Sequence, residues 1–198
     1  MAAGTKYNLT PEYKPEEFYR VETGVRKSGP WKLDITNLVI GSFLPVFTPV
    51  KADMVKRTLV PVRNVKVIEA YTTGETNLTI KVAKGSLAYQ GMFVGSSKKG
   101  AEVVSIDKSN KEYDVLTIKA AFGEDIPKDY VLFESTAVGG TVKKHTANFV
   151  IYAETKVEEG AVLPTLLMQA YEVKESKLVL PIHELDKVGL TSRFQFDY

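Results

Sequence analysis

Two histidines, His145 and His183, are the side chains of this sequence best suited to proton transfer near neutral pH. His145 follows Lys143 and Lys144, two cations that oppose protonation of the imidazole and repel a metal ion. His183 lies in the run PIHELD, where helical spacing would not aim its acidic neighbours at one point. A zinc site there would also need further ligands. The sequence therefore favours an exposed or helix-capping role for each histidine, with no metal bound.

Covalent catalysis would need an activated nucleophile, and the chain contains no cysteine. Without cysteine there are no disulfides and no thiolate zinc sites, which is typical of a protein made in a reducing cytoplasm. A serine nucleophile stays open because triads assemble in space, although no Gly-x-Ser-x-Gly motif occurs. A carboxylate pair for glycoside hydrolysis stays open among the 24 acidic residues. Neither alternative is marked by a motif, so we expect no catalytic residues.

The stretch 84–118 has closely spaced glycines, which raises the question of a phosphate cradle. It fits neither the P-loop nor the dinucleotide fingerprint, and no amphipathic helix follows it. A calcium loop after Asp107 would need a glycine and a glutamate that are missing at the required spacing. We interpret the stretch as turns followed by a hairpin, with Asp107 and Asn110 as turn formers. The glycines that we expect to supply positive-φ turns are Gly85, Gly91, Gly95 and Gly100.

Composition and charge exclude further classes of function. The chain has 198 residues, 44% of them hydrophobic, so it can bury a core without metals or disulfides. Its net charge is only +2, and Lys and Glu alternate instead of forming the basic stripe of a nucleic-acid-binding protein. The start of the chain lacks an apolar segment of signal-peptide length, and the longest apolar runs are too short to cross a bilayer. We expect no cofactor, no nucleic-acid partner and no membrane partner.

The elements that would position any site are short and rich in β-forming residues from Leu38 onward. In TNLTIKVA, apolar residues alternate with polar ones, which indicates a half-buried strand. The best helix candidate is HELDKVG, which has acidic residues at its start and Gly189 as a stop signal. Many short strands with Gly- and Pro-rich turns predict an all-β fold, a small antiparallel barrel or sandwich with one short helix.

We divide the chain into three segments. Residues 1–37 are polar and predict an extended N-terminal arm, which either orders against something larger or frays over its own domain. Residues 38–137 predict a β-barrel-like body, and Gly139-Gly140 is the best internal boundary. Residues 138–198 predict a β-rich segment that packs on the body or on neighbouring subunits.

Aromatic side chains in the arm are its candidate docking or oligomer contacts, because aromatic anchors are favoured at interfaces. Trp31, the one tryptophan of the chain, is interpreted as an anchor that pins the arm and not as a sugar-stacking surface. The full set of predicted interface residues is Tyr7, Tyr13, Phe18, Tyr19 and Trp31.

Three stretches of the chain carry a likeness to a known group. The first is GSFLPVFTPV followed by RTLVPVRNVKVIEA, which is similar to the start of a small β-barrel in that group. The second is KGSLAYQGMFVG with the later runs AEVVSID, EYDVLTIKAAFG and YVLFES, and the third is the C-terminal AYEVKESKLVLPIHELDKVGLTSRFQFDY. Over residues 38–198 the chain resembles the head fibre and capsid decoration proteins of tailed bacteriophages, particularly those of gut Bacteroidota hosts.

The resemblance implies a non-enzymatic structural protein of the virion and brings no active site with it. It implies a position on the capsid exterior, docking on the major capsid protein and assembly as a homotrimer, after synthesis in the cytoplasm of the bacterial host. A second hypothesis is a β module that binds glycan or another host-surface ligand. That module would present an exposed aromatic groove, and the absence of tryptophan from the β region argues against it. An enzyme with an unrecognised acidic pair is the third hypothesis.

Overall fold

The structure is a computed structural model that describes residues 18–27, 29–74 and 76–197. These residues form fifteen strands, one α-helix and two 3-10 turns, so the predicted all-β class with one short helix is confirmed. The strands are β1 (Arg20–Lys27), β2 (Lys32–Leu33), β3 (Phe43–Leu44), β4 (Pro49–Asp53), β5 (Thr58–Pro61), β6 (Asn64–Lys66), β7 (Thr79–Ala83), β8 (Phe93–Gly95), β9 (Gly100–Asp107), β10 (Tyr113–Ile118), β11 (Val131–Glu134), β12 (Phe149–Ile151), β13 (Thr155–Lys156), β14 (Leu166–Lys174) and β15 (Phe194–Asp197). The helix is α1 (Glu184–Leu190), and the 3-10 turns are Glu175–Lys177 and Thr191–Arg193.

A seven-stranded sheet joins the two ends of the described chain. Its order is β1-β14-β12-β4-β5-β2, and β15 pairs in parallel with β14. Neighbouring residues of a strand point to opposite faces, and Leu166 and Leu167 accordingly lie in two different hydrophobic clusters. Both faces of the sheet are therefore buried at its centre, which explains why β12 is the unbroken apolar run FVI.

A six-stranded sheet of order β6-β11-β8-β9-β10-β7 curls around a separate core. Its outer strands approach each other through a bridge between Val67 and Val82, and the backbone N–H of Ile68 donates to the carbonyl of Lys81 at 3.1 Å. The alternation predicted for TNLTIKVA is confirmed, because Ile80 and Val82 are buried in this core while their neighbours in β7 are more exposed. We refer to this sheet as the half-barrel.

The hairpin predicted in the glycine-rich stretch is confirmed as β9 and β10. Asp107 accepts from the backbone N–H of Ser109 and Asn110 from that of Glu112, both at 2.8 Å. Gly85 and Gly91 have the positive φ that we predicted, at +79° and +85°.

The positive-φ prediction is wrong for Gly95 and Gly100, which lie in β8 and β9. These two positions lack a side chain for a different reason. A Cβ atom at either would overlap the backbone of Gly140. The predicted internal boundary therefore packs directly against the half-barrel, and three glycines let the backbones meet.

In the sequence, the strands of the half-barrel are inserted between strands that belong to the seven-stranded sheet. β4 and β5 precede the half-barrel, and β12 follows it and pairs with β4. Strands β3 and β4, which fall within the predicted body, thus pair with β13 and β12 of the C-terminal segment. Sheet membership does not identify independently folding units, and the limits 1–37, 38–137 and 138–198 stay predictions.

Helix α1 confirms the helix predicted from HELDKVG. His183 is its N-cap and accepts from the backbone N–H of Leu185 at Nδ1, while Asp186 closes the capping box. Gly189 was expected to stop the helix but lies inside it, where a Cβ would overlap the carbonyl of Ala147. Close packing of α1 on that chain segment explains this glycine. No helix in the described part of the chain is both long and apolar enough to cross a membrane.

Candidate functional site

Two aromatic residues inside the predicted arm segment, Phe18 and Tyr19, pack on the seven-stranded sheet, and we call them the aromatic root. Phe18 stacks on Phe47 with ring centroids 6.5 Å apart, and Tyr19 meets the same ring at 5.4 Å. Tyr19 is only 2% exposed and Phe18 is half-buried. The predicted interface residues Tyr7 and Tyr13 lie outside the described residues.

Phe47 holds this root through an unusual backbone conformation. Its φ is +63°, in the left-handed region that costs a residue other than glycine about 1–3 kcal/mol. Its N–H donates to the carbonyl of Ile151 at 2.9 Å, which fixes the residue to the strand β12. The surrounding sheet therefore imposes this conformation and places the Phe47 ring beneath Tyr19.

Trp31 lies in another part of the core. It is 3% exposed and packs in the cluster that contains Leu33 and Leu59, on the opposite face of the sheet from Tyr19. The structure thus brings Phe18 and Tyr19 together and places Trp31 apart from them. Trp31 and Tyr19 contribute to the core of their own chain, and a contact of the predicted set with another protein stays a prediction.

A buried ionic cluster joins the half-barrel to the segments around it; we call it the Glu134 cluster, consisting of Arg63, Tyr89, Glu134 and Lys144. The Glu134 carboxylate contacts Arg63 at 3.3 Å and Lys144 at 2.8 Å, and the Tyr89 hydroxyl donates to it at 2.7 Å. The side chains of Arg63 and Glu134 are 5% and 4% exposed. Arg63 also donates to the carbonyl of Thr36 at 2.6 Å, so the cluster ties the end of the predicted arm segment to β11.

Opposing effects set the ionisation of Glu134. Burial alone would raise the pKa of its carboxyl, but hydrogen bonds from Lys144 and Tyr89 and the charge of Arg63 outweigh burial and lower that pKa below its usual value. The carboxylate therefore stabilises the fold above the pKa of the unfolded chain, and this stabilisation is lost as the pH falls through the folded-state pKa.

We therefore predict that protonation of Glu134 accounts for part of the loss of folding stability at acidic pH. In urea unfolding at pH values between about 3 and 7, the free-energy difference between wild type and Glu134→Gln should shrink as the carboxyl of the wild type becomes protonated. Burial also lowers the pKa values of His145 and His183, so protonation of these histidines destabilises the fold. The free energy of unfolding of the variant should therefore still fall with pH in the range where histidines of the unfolded chain become protonated. A difference that stays constant with pH would contradict this assignment.

A second buried group, which we call the Asp186 cluster, consists of Asn64, Lys143 and Asp186. Lys143 Nζ lies 2.7 Å from Asn64 Oδ1 and 2.5 Å from Asp186 Oδ2. Asn64 Nδ2 donates to the same Asp186 oxygen at 2.8 Å. The other Asp186 oxygen accepts from the backbone N–H of Ala147 at 2.8 Å. Asn64 and Asp186 are 2% and 0% exposed, and the Lys143 side chain is 3% exposed.

The strand β11 explains why these distant residues meet. Asn64 in β6 pairs with Phe133 of β11, and the backbone of Lys143 bridges Ser135 just beyond the end of that strand. The Phe133 ring lies 5.6 Å from Lys143 Nζ and makes an edge contact with His183. Burial lowers the pKa of Lys143, and the nearby Asp186 opposes that effect in part.

One of the two histidines borders the Asp186 cluster, because the backbone N–H of His183 donates to Asp186 Oδ2 at 3.3 Å. His183 is 8% exposed and caps α1, as the sequence predicted. His145 is half-buried, so the expectation of an exposed side chain is wrong for it. Among the residues that the structure describes, no group of three or more His, Cys, Asp or Glu side chains could hold a metal ion.

Sequence reasoning missed both buried clusters. The available signal was weak: Glu134 ends the apolar run YVLF, and Asn64 and Asp186 occur in segments with apolar neighbours. A charged residue in such a run is rarely buried unless it is paired. Nothing local identified its partners, because Arg63 is 71 positions from Glu134 and Asn64 is 122 positions from Asp186.

A surface cleft of about 500 Å³ lies beside β2 and β5. Its lining consists of Lys32, Leu33, Asp34, Ile35, Thr58, Val60 and Gly160. No aromatic ring is present in this lining, so the cleft does not supply the stacking surface that a glycan-binding module would use.

Comparison with known families decides the class of protein. A family model described as "Head fiber protein", of phages, matches residues 2–195. The chain belongs to the phage head fibre protein family. The match confirms the resemblance inferred from the sequence and extends it over the N-terminal segment, while the assignment to Bacteroidota hosts stays a prediction. No curated protein and no solved structure matches the chain.

Family membership makes the chain a structural protein of a phage virion. The two buried clusters agree with a structural role, because the charged side chains within each cluster form ion pairs with one another. In each cluster the carboxylate contacts cations and hydrogen-bond donors of the same chain. These interactions hold the half-barrel, the C-terminal segment and residue 36 in one arrangement.

Proposed function

We propose that this head fibre protein is a non-enzymatic auxiliary subunit bound to the outside of the phage capsid. The observation that carries the proposal is the family match over residues 2–195, which includes the arm as well as the two larger sheets. The interior supports a role based on shape, since the buried charges join separate segments of the chain.

The N-terminal segment is the proposed docking element, and the major capsid protein is its proposed partner. Residues 1–17 lead into Phe18 and Tyr19, whose rings are fixed on Phe47. A pull on the arm is therefore transmitted to the seven-stranded sheet through a packed aromatic cluster. Tyr7 and Tyr13 supply the aromatic side chains for the contact with the shell.

A homotrimer is the proposed assembly state. Among the described strands, β1 lies at the edge of the seven-stranded sheet, and its Val21 and Val25 are 41% and 43% exposed. Edge strands with apolar side chains favour association unless they are covered. Contacts between copies at β1 would cover this edge and would keep the arms of the subunits close together.

Sedimentation with capsids that lack the protein tests the docking role. Full-length protein should pellet with the capsids, and a variant without residues 1–17 should stay in the supernatant. This deletion keeps Phe18 and Tyr19, so the aromatic root is preserved. Tyr7→Ala combined with Tyr13→Ala should weaken pelleting if the tyrosines make the contact, and Val55→Ala, at a 92% exposed position, is the matched control.

The outcomes separate the parts of this proposal. Full-length protein that remains in the supernatant would contradict capsid binding, whereas a truncated variant that still pellets would contradict only the role of the arm. Light scattering after size exclusion measures the assembly state. A monomer both in solution and on capsids would contradict the trimer.

A further inference from the structure

The Asp186 cluster places an amine, a carboxamide and a carboxyl group in mutual contact inside the protein. Lys143 Nζ is 2.7 Å from the amide oxygen of Asn64, one bond away from the amide carbon. Asp186 Oδ2 contacts both the amine nitrogen of Lys143 and the amide nitrogen of Asn64, at 2.5 and 2.8 Å. One carboxyl oxygen therefore touches both the attacking and the leaving nitrogen of a possible acyl transfer.

The surroundings of the cluster favour a reaction between its side chains, because they exclude water and lower the pKa of Lys143. All three side chains are at most 3% exposed, so water is largely excluded from the reacting groups. Burial disfavours the charged ammonium, which lowers the pKa of Lys143 and increases the share of the nucleophilic neutral amine. The groups are also held by strands and a helix, and such positioning removes most of the entropic cost of bringing reactants together.

We propose that Lys143 and Asn64 form an intramolecular isopeptide bond, with Asp186 as the catalytic residue. The observation that carries this proposal is the single Asp186 oxygen shared by the two nitrogen atoms. The proposal is independent of where on the virion the protein binds.

The reaction balances without any further reactant. Asp186 takes a proton from the Lys143 ammonium, and the neutral amine attacks the amide carbon of Asn64, so that a C–N bond forms. Asp186 delivers its proton to the amide nitrogen of Asn64 and accepts one from the attacking nitrogen. The original C–N bond of the carboxamide then breaks, ammonia leaves, and the proton that remains is carried by Asp186 or by the departing ammonia.

A second lysine of the chain also pairs with a buried carboxylate, but it lacks the side-chain amide that is present in the Asp186 cluster. Lys84 lies 2.8 Å from Asp114, whose side chain is fully buried, but the Lys84 side chain is 38% exposed. Its other hydrogen bonds go to the backbone carbonyls of Lys108 and Asn110. Lys84 thus contacts a carboxylate and two backbone carbonyls, and none of these is a side-chain amide that could act as an acyl acceptor.

The bond would have a mechanical consequence for a virion component. Asn64 opens the first strand of the half-barrel, and Lys143 follows its last strand, β11. A covalent link between them bypasses residues 65–142. Force applied along the chain would then cross the protein without passing through the half-barrel, which could not be pulled open from its ends.

Intact mass spectrometry of the purified full-length protein tests the proposal directly. We expect wild type to be lighter than its sequence mass by the mass of one ammonia, and a digest to contain a branched peptide that joins Asn64 to Lys143. Asp186→Asn and Lys143→Arg should each have the full sequence mass. Lys84→Arg is the matched control and should keep the loss of ammonia.

Each other result would overturn the proposal. Wild type at its full sequence mass shows that no bond forms, and this reading does not depend on whether any variant folds. A loss of ammonia that persists in Lys143→Arg identifies a cyclic imide at an asparagine instead of a cross-link through Lys143. A loss of one water with Lys143 joined to Asp186 identifies a different acceptor.

Discussion

Replacing Glu134 by glutamine is expected to lower the free energy of unfolding by about 3 kcal/mol. Glutamine keeps the size of the side chain but removes the charge that faces Arg63 and Lys144. The Arg63 guanidinium is 5% exposed and would remain buried without its carboxylate. An uncompensated buried cation is among the most destabilising defects that a single substitution creates. Urea unfolding at neutral pH, followed by tryptophan fluorescence, measures the change.

The matched control is Glu69→Gln. Glu69 pairs with Lys81 at 2.6 Å, a shorter distance than that between Glu134 and Arg63, but its side chain is 64% exposed. We expect this substitution to change the free energy of unfolding by less than about 1 kcal/mol. Neither variant alters Asn64 or Lys143, so the comparison holds with or without a cross-link. Equal effects of the two substitutions would show that burial of the Glu134 cluster contributes nothing to stability.

Local patterns in the sequence were enough for the individual elements. The alternation around Ile80 and the turn formers Asp107 and Asn110 depend on residues a few positions apart, and the strand and hairpin built from them are confirmed. The helix beginning at Glu184 was predicted from the acidic residues at its start. One of these residues, Asp186, also forms the capping box with His183. Interactions of this range are encoded in the period and turn chemistry of a single segment.

Pairing between distant segments could not be predicted in the same way. β4 lies beside β12, and β14 lies beside β1, although these partners are far apart in the sequence. The strand β12 is apolar and buried on both faces, so alternation specifies neither its register nor its partner. The same limit explains why Trp31 and Tyr19, predicted together as interface aromatics, lie on opposite faces of one sheet.

The candidate site was predicted even less completely than the fold. Ion pairs and amide contacts between residues such as Asn64 and Asp186 exist only because β6 and α1 meet in space. The class of protein was nevertheless predicted, because the likeness to head fibre proteins extends over many short segments. Docking residues are harder to predict, since an aromatic side chain in a polar segment can serve a partner or the core of its own chain.

Gly140→Ala is the second substitution with a large expected effect, a loss of about 3 kcal/mol in the free energy of unfolding. Gly140 has a φ of +65°, which an alanine adopts only with strain. A Cβ atom there would also overlap the backbone of Lys99 and Gly100. Backbone cannot rotate out of the way as a side chain can, so the loop would have to move off β8 and β9. Thermal and urea unfolding both measure the loss.

Gly139→Ala provides the control one residue away. A Cβ at Gly139 would have no neighbour within 4 Å, and the residue is not among those with positive φ. We expect this variant to be as stable as wild type or more stable by up to about 1 kcal/mol, since alanine restricts the unfolded chain. If Gly140→Ala were equally harmless, the loop would be free to leave the half-barrel. Because Lys143 follows three positions later, a displaced loop should also reduce the extent of isopeptide formation, which the intact mass of Gly140→Ala would report.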